Sequence, residues 1–537
     1  MGIFSARRER ISPVDTAWLR MDSPGNLMMI VGVMVLGHGV ELDRLRHVLQ
    51  TRLLSFRQFR ARVVTDPSGA WWEEVEPDLE QHLVRIGLPG KGSKEDLEKL
   101  VAQLASQSLD HSRPLWQFHL IENYAGGTVL VSRIHHCIAD GIALMGVLLS
   151  LTSPDPAQAD VNTPEPRKTG KHGAPWEAWI APFTETAVRA IGATGDLATR
   201  ALRAYGKALG DPDYAGEAAV RYARSAAQVV RDVAALALMD DDSSTSLKGR
   251  PSGSKAVAWC EPLPLADVKA AGKALECSVN DVLLACAAGA IREYLIKRGE
   301  SLRGAELRAM VPVNLRRPGD TNSLGNKFGL VPVLLPIGIE HPVARVLEVR
   351  RRMDELKDGY TAAISMGILG AVGLAPRLLQ KQVLDLFGSK TTAVMTNVPG
   401  PQQPLYLAGA AVQQIMFWVP QSGDISMGVS ILSYNGGVQF GLVTDKAACA
   451  EPQQIIDRFA PEFERLVYAM LLAPWDEQLD PAVARHALQA TETAADIATH
   501  MQHPGAKGNG ADASHTAAKV PGMRKRKSAF AAARSHH

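Results

Sequence analysis

The spacing of hydrophobic residues along the chain predicts a mixture of helices and strands. Between Val40 and Phe56, apolar residues recur every three or four positions, which is the period of a helix. Residues 116–120 instead alternate between apolar and polar, as a strand with one buried face does. Residues 28–36 form an apolar run interrupted only by Gly32 and about half as long as a membrane span. This run is predicted to be a buried strand.

A β-branched run, residues 128–134, leads directly into the motif His135-His136-Cys137-Ile138-Ala139-Asp140-Gly141. The pair Gly126-Gly127 before the run marks a turn. After the motif, apolar residues return at helical spacing, and Asp140 lies where a helix N-cap is expected. The motif is therefore predicted to form the corner between a strand and a helix.

The second half of the chain shows the same mixture of patterns. Residues 263–275 are predicted to be a helix, and Ser278 with Asp281 has the form of a capping box opening a second helix that closes near Gly299. Asn435-Gly436 is a strong hairpin signal between two predicted strands. The predicted strands are residues 308–313, 330–335, 392–395, 412–418, 425–434 and 438–444.

Polar stretches divide the chain into four predicted segments. Residues 153–175 and 240–254 have the composition of linkers. The segments are an N-terminal domain at 1–152, a linker with a helical insert at 153–254, a C-terminal domain at 255–474 and a helical or disordered basic tail at 475–537. Within the insert, residues 215–239 have one basic and one weakly apolar face, which is typical of a solvated connector; contact with a membrane surface is the alternative.

Composition narrows the class of protein. A chain of 537 residues, 46% hydrophobic and 21% charged, is globular and large enough for more than one core. Lys and Arg number 58 against 56 Asp and Glu, which argues against nucleic acid as the main partner. The five cysteines are scattered without a CxxC pair, so neither a disulfide framework nor a zinc site is supported. With no apolar signal-peptide segment directly after the first basic residues, the cytosol is the expected compartment.

The histidine pair carries the clearest chemical signal. Alternation along a strand puts His135 and His136 on opposite faces, so one is expected to be a general base and the other structural. Asp140 could orient an imidazole, cap the following helix or pair with an arginine, and a structural role is preferred. A hydrogen-bonded core histidine and a metal site on His-x3-Asp are the alternatives. No further cluster of His, Cys or Glu completes a ligand set, so no metal is expected.

Further short blocks accompany this motif in a fixed order along residues 11–474. They are Ser12-Pro13-Val14-Asp15 with Met21 and Pro24, Arg113-Pro114-Leu115-Trp116, Val279-Asn280-Asp281-Val282, Val311-Pro312-Val313-Asn314-Leu315-Arg316, Gly325-Asn326 and Asn397-Val398-Pro399-Gly400-Pro401. With HHxxxDG they resemble the bacterial wax ester synthase/acyl-CoA:diacylglycerol acyltransferase family, part of the CoA-dependent acyltransferase superfamily. The chain departs from the family at Asn314, where many relatives have serine, and in the tail after Pro474.

The resemblance implies an α/β fold of two chloramphenicol-acetyltransferase-like domains around a central tunnel, with the HHxxxDG corner at their interface. It makes His136 the general base, while His135, Asp140 and Gly141 shape the loop. Asp140 is then expected to meet an arginine of the second domain, and Arg316 is the candidate.

For three of the other blocks, the residues have an ordinary structural explanation as well as a role in the active site that the resemblance implies. Asn280 either stabilises the start of a helix or lies near the tunnel, where it would help to hold the oxyanion. Asp281 is expected to be a capping residue and Trp116 to anchor a strand by packing. The Asn-Val-Pro-Gly block is typical of a turn, and its lining of the tunnel is implied only by the resemblance.

The implied reaction is transfer of a long-chain acyl group from acyl-CoA to a fatty alcohol or to diacylglycerol, giving a wax ester or triacylglycerol. No cofactor is implied beyond acyl-CoA as substrate. Such substrates imply a cytoplasmic protein peripherally associated with the inner membrane or lipid droplets, through the insert or the basic tail. The alternatives are an acyltransferase that takes its donor from a carrier protein, as condensation domains do, and a non-catalytic lipid-droplet binding protein.

Overall fold

The computed structural model describes residues 8–67, 69–157, 242–314, 324–357, 388 and 390–472. Most of the predicted insert, the predicted tail at 475–537 and the candidate Arg316 lie outside these ranges. The described part is a mixed α/β structure, as predicted. No single helix in it is long and apolar enough to cross a membrane; one pair, Leu265–Ala274 with Val279–Lys297, meets that test only jointly and is bent by 101°.

Helices and strands follow one another along both halves of the described chain. The helices are α1 (Pro13–Met21), α2 (Leu42–Thr51), α3 (Leu79–His82), α4 (Lys94–Ala105), α5 (Gly141–Ser150), α6 (Leu265–Ala274), α7 (Val279–Lys297), α8 (Pro342–Lys357) and α9 (Gln453–Leu472). The strands are β1 (Arg8–Arg10), β2 (Met29–Leu36), β3 (Ala61–Asp66), β4 (Gly69–Glu74), β5 (Leu83–Gly87), β6 (Trp116–Tyr124), β7 (Gly127–His135), β8 (Lys255–Trp259), β9 (Leu263–Pro264), β10 (Leu307–Asn314), β11 (Phe328–Leu335), β12 (Ala393–Pro399), β13 (Tyr406–Leu407), β14 (Ala410–Trp418), β15 (Met427–Tyr434) and β16 (Gly437–Asp445).

Among the described residues, the strands form two large sheets and a small one. The first large sheet has six strands in the order β13-β14-β2-β7-β6-β5. The second has seven, in the order β11-β10-β12-β15-β16-β8, with β9 also pairing with β16. The small sheet has the order β1-β4-β3. Helices α7 and α9 pack on the second sheet through one continuous apolar cluster.

Strand β14 crosses from the second half of the chain into the first sheet. It pairs antiparallel with β2, from Val412 opposite Leu36 to Trp418 opposite Val31. Strand β13 then pairs with β14 at the edge of the same sheet. The first sheet is therefore built by residues from both halves of the sequence.

Several predicted elements are confirmed. The apolar run 28–36 contains β2, and all eight residues of that strand are buried. The capping box at the start of α7 is present in full, with Ser278 accepting from the Asp281 amide and Asp281 accepting from the Ser278 amide. Asn435 and Gly436 both have positive φ, 45° and 79°, as a tight turn between β15 and β16 requires.

Two predicted helix boundaries are wrong. The helix predicted between Val40 and Phe56 ends at Thr51, and two short 3-10 turns follow at Leu53–Ser55 and Arg57–Arg60. Leu53 and Phe59 are buried in these turns, so the apolar spacing continues beyond the helix itself. The helix predicted at 263–275 begins two residues later, because Leu263–Pro264 pairs with β16 as β9.

Helix α4 links the two large sheets. Its apolar face lies in the same cluster as residues of β2, β7 and β8. Lys94 Nζ donates to the Trp259 carbonyl at 2.5 Å, and Glu98 Oε1 accepts from the Trp259 amide at 3.2 Å. Burial raises the pKa of Glu98 to about 7. The end of β8 is thereby fixed against a helix of the first half.

A buried ion pair joins α8 and α9 beneath α7. Arg345 and Glu462 have side chains that are each 2% exposed, and they are in direct contact. Arg345 Nε also donates to the Ala285 carbonyl at 3.0 Å, while Arg465 Nη1 donates to Glu462 Oε1 at 2.6 Å. A β-carbon at Gly289 would overlap with both charged groups, so glycine is the residue that admits this pair against α7.

Candidate active site

The HHxxxDG motif forms the predicted corner between a strand and a helix. Strand β7 ends at His135, and α5 begins at Gly141 with Asp140 as its N-cap. Asp140 Oδ1 accepts from the Ala143 amide at 2.9 Å. A β-carbon at Gly141 would meet Phe417 at 3.4 Å, an ordinary contact distance, so nothing in the packing excludes a small side chain there.

The imidazole of His136 is buried against two aromatic rings, which also contact each other. Its centroid lies 4.0 Å from that of Trp18, with the planes inclined by 21°, and 5.6 Å from that of Phe328. The backbone is held as well: the His136 amide donates to the Met28 carbonyl at 2.8 Å, and the His136 carbonyl accepts from Asn326 Nδ2 at 2.8 Å. Both the ring and the main chain of this residue are therefore constrained.

Burial sets the charge state of His136. Desolvation lowers its pKa to about 4, against the opposing effects of its own backbone, the Asn326 side chain and the negative charge of Asp140. At neutral pH the imidazole is uncharged, which is the form that accepts a proton. Its Nδ1 is buried and has no hydrogen-bond partner among the described residues.

His135 has different neighbours from His136. Its Nδ1 accepts from the Cys137 amide at 3.1 Å, and its Nε2 lies 3.8 Å from Asp22 Oδ2. His111 Nε2 lies 3.3 Å from the same carboxylate oxygen. Burial lowers the pKa of His135 to about 4. The described ranges contain no group of three or more His, Cys, Asp or Glu side chains arranged to hold a metal ion.

Asp140 is held by backbone amides on both sides. Besides capping α5, it accepts from the Lys327 amide at 2.9 Å through Oδ2. Lys327 belongs to the second half of the chain, so this contact attaches the motif to the segment before β11. The arginine predicted to meet Asp140, Arg316, lies outside the described residues.

Asp15 and Asn326 are hydrogen-bonded to each other next to the HHxxxDG motif. Asn326 donates to Asp15 Oδ1 from Nδ2 at 2.7 Å and from its backbone amide at 3.3 Å. Ser12 Oγ donates to Asp15 Oδ2 at 2.7 Å. Burial raises the pKa of Asp15 to about 6, although these hydrogen bonds lower it. Three blocks singled out in the sequence thus converge in one place.

Asn280 occupies the first turn of α7, next to the capping box. Its Oδ1 accepts from Asn397 Nδ2 at 2.6 Å, and both side chains are half-buried. The Val-Asn-Asp and Asn-Val-Pro-Gly blocks are therefore in direct contact. Trp116 is buried in the core, where its Nε1 donates to the Phe59 carbonyl at 2.9 Å and its ring stacks on His82.

Trp18 and Phe328, the two rings that contact His136, were not predicted from the sequence. One signal could have found Trp18: Ser12 followed by Pro13 and Asp15 predicts the start of a helix, and Trp18 is one turn further on the same face as Asp15. No comparable signal links Phe328 to the motif, because that contact joins residues far apart in the chain.

Comparison with protein families gives matches along most of the chain. The model described as wax ester synthase/diacylglycerol acyltransferase catalytic domain matches residues 11–283, and the WS/DGAT C-terminal domain matches residues 324–467. A putative diacylglycerol O-acyltransferase of Mycobacterium tuberculosis is 31% identical over 74% of this chain and 77% of its own length. A probable diacylglycerol O-acyltransferase of the same species is 27% identical over 85% of this chain and 95% of its own length.

Solved structures share the fold. The wax ester synthase/diacylglycerol acyltransferase from Marinobacter aquaeolei VT8 aligns with a TM-score of 0.59 and 22% identity, covering 86% of this chain and all of that one. The first condensation domain of the calcium-dependent antibiotic synthetase aligns with a TM-score of 0.54 and 15% identity, covering 88% of this chain and 99% of that one. The predicted α/β fold of two chloramphenicol-acetyltransferase-like domains is confirmed.

Proposed function

Since this chain belongs to the wax ester synthase/diacylglycerol acyltransferase family and is an acyltransferase, we propose that it moves a long-chain acyl group from acyl-CoA to diacylglycerol or to a fatty alcohol. The products are triacylglycerol and wax ester. The observation that carries the proposal is the uncharged imidazole of His136, which is buried at the HHxxxDG corner, stacked on Trp18 and in contact with Phe328. A buried neutral imidazole is suited to be the single general base that the reaction needs.

The proposed mechanism has one tetrahedral intermediate and no acyl-enzyme. His136 takes the proton of the acceptor hydroxyl, and that oxygen forms a bond to the thioester carbonyl carbon. The intermediate then collapses, the carbon–sulfur bond breaks, and the CoA thiolate takes the proton from the imidazolium. Because the charge of Asp140 raises the pKa of His136, it favours the imidazolium that forms between the two steps.

Asn280 is the candidate donor to the oxyanion. Because its Oδ1 already accepts from Asn397, its own Nδ2 faces another direction and is a hydrogen-bond donor. We place His135, Asp140 and Gly141 in supporting the loop, and Arg316 as the proposed partner of Asp140. No cofactor or metal takes part in these steps.

Acyl-CoA and a lipid acceptor are the proposed partners. Because the acceptors reside in membranes or droplets, we place the protein in the cytoplasm, peripherally associated with the inner membrane or lipid droplets. The proposed contacts are the basic tail and the Arg-bearing insert, which carry clustered positive charge in the sequence.

The first experiment measures thiol release from palmitoyl-CoA by the purified protein, with hexadecanol or dioleoylglycerol as acceptor, and identifies the ester formed. We expect release that depends on the acceptor, with wax ester or triacylglycerol as the product. Palmitoyl-loaded acyl carrier protein, offered as the donor instead, tests the alternative of transfer from a carrier protein, which the fold shared with condensation domains suggests. Activity with the loaded carrier but not with palmitoyl-CoA would identify the carrier as the donor. No transfer from either donor would favour a lipid-binding protein.

We expect the acid limb of the kcat/KM–pH profile to lie below about pH 5. Only the neutral imidazole accepts a proton, so the rate is lost as the pH falls through the pKa of His136, which burial lowers to about 4. Asp15 titrates nearby, with its pKa raised to about 6, and Asp15→Asn should leave the limb in place. Circular dichroism at each pH tests whether the fold persists. A midpoint near 6.5, the ordinary histidine value, would contradict the lowering of the His136 pKa by burial, and a profile without an acid limb in this range would contradict its role as base.

A further inference from the structure

His136 is held by two short segments that lie far apart in the sequence. Helix α1 contributes Asp15 and Trp18, which are one turn apart and so share a face. The segment leading into β11 contributes Asn326 and Phe328, which are two residues apart and both contact His136. Each segment brings one polar and one aromatic side chain, and we call these four residues the clamp.

The polar half of the clamp fixes the main chain of His136. Asn326 Nδ2 donates to the His136 carbonyl at 2.8 Å and to Asp15 Oδ1 at 2.7 Å. A carbonyl oxygen and an ionised carboxylate only accept, so both hydrogens of the amide are used and its orientation is determined. Since Asn326 is 6% exposed and Asp15 is 7% exposed, bulk solvent competes little for this contact.

The aromatic half restricts the ring. Trp18 stacks on the imidazole with centroids 4.0 Å apart, and Phe328 lies at 5.6 Å with its plane tilted by 49°. The two halves depend on each other, because Asp15 and Trp18 move with α1, and Asn326 and Phe328 move with the start of β11. A change in the Asp15–Asn326 contact therefore shifts the rings as well as the His136 carbonyl.

We propose that Asp15 and Asn326 are positioning residues of the acyltransferase: they touch no reacting atom, and they hold the His136 ring where it can take the acceptor proton. The inference rests on the proposed function of His136. Proton transfer needs heavy atoms within hydrogen-bond distance, and a displacement of about 1 Å costs up to about 100-fold in rate. Loss of the clamp should lower kcat and leave KM nearly unchanged.

The test uses a pair of isosteric exchanges in the full-length protein. Asn326→Asp removes the donor to the His136 carbonyl and sets a carboxylate against Asp15. The double variant Asp15→Asn/Asn326→Asp restores one amide and one carboxylate at this contact, but position 326 still offers no N–H to the His136 carbonyl. At about pH 8 the native Asp15 is ionised, since its pKa is about 6, whereas in Asn326→Asp the two facing carboxyls repel each other or share one proton.

We expect Asn326→Asp to lower both Tm and kcat, the latter by about 10- to 100-fold. The double variant should recover the part of the Tm that the Asp15 contact contributes, while kcat stays low because position 326 still has no donor for the His136 carbonyl. A double variant that recovers Tm and kcat together would overturn the proposal, because the contact would then only stabilise the fold. Full kcat in Asn326→Asp would overturn it equally.

Asp242→Asn is the matched control for the loss of a buried carboxylate. Asp242 is also buried and accepts from a hydroxyl, Thr392 Oγ1 at 2.6 Å, and from the Arg308 amide at 2.8 Å. Its replacement should alter Tm but not kcat. Failure of the proposed function would show differently, as a wild-type protein without acyltransferase activity, whereas failure of the clamp would show as the recovery of kcat in an active enzyme.

Discussion

His136→Ala should lower kcat for acyl transfer to diacylglycerol or alcohol by about 10²- to 10⁴-fold, the usual contribution of a general base. The loss should fall on kcat, because the imidazole contributes to the transition state more than to the binding of acyl-CoA. The rate is measured as acceptor-dependent thiol release. The cavity left beside Trp18 and Phe328 costs stability as well, so the assay is run well below the Tm of the variant.

His119→Ala provides the control for this loss. His119 lies on β6, is 4% exposed, and has a pKa that burial likewise lowers to about 4. Neither of its ring nitrogens has a hydrogen-bond partner among the described residues, and it belongs to no motif. Its replacement should lower Tm but leave kcat within a few-fold of wild type. Full activity in His136→Ala, in protein free of other acyltransferases, would refute the assignment of the base.

Glu462→Ala should reduce the free energy of unfolding by about 3–5 kcal/mol. The substitution removes the carboxylate that neutralises Arg345, whose side chain is 2% exposed, and leaves a guanidinium buried without its counter-charge. The carbonyls of Ala285 and Ile339 still accept from Arg345, but they carry no net charge to offset the desolvation. Urea denaturation monitored by circular dichroism measures the loss.

Two further variants define the origin of that effect. Glu464→Ala removes an exposed carboxylate from the same helix and should change the stability by less than about 0.5 kcal/mol. Arg345→Met/Glu462→Leu removes both charges and should recover most of the lost stability, because apolar side chains of similar volume often replace a buried ion pair without cost. A loss below about 1 kcal/mol in Glu462→Ala would mean that other groups stabilise the buried charge of Arg345.

Local patterns predicted the elements whose burial follows a simple period. The continuous apolar run of β2 and the capping box of α7 were both recognised, because they depend on neighbouring residues. Helix α9 was not predicted, although Ile455, Phe459 and Phe463 recur at helical spacing and are buried. The end of α2 was misplaced because the 3-10 turns after it bury residues with nearly the same spacing.

The periodicity of the sequence does not predict which residues surround His136. A repeat shows which face of an element is buried but not which element covers it. Asp15 and Asn326 are separated by 311 positions, and Asn326 and His136 by 190, so these contacts exist only once the whole chain has folded. The resemblance to a known family identified these sequence blocks, but it did not show that they contact one another. The proposed role of His136 as base stays a prediction.

The crossover of β14 has a consequence for how the protein is made. The inner strand β2 borders β7 on one side and β14 on the other, and residues 410–418 leave the ribosome long after β2 and β7. Until then the long apolar edge of β2 is uncovered, and such an edge is a template for aggregation. A fragment that stops at the predicted boundary of the first domain, residue 152, would keep that edge permanently open. The two halves are therefore better regarded as a single folding unit than as separable modules.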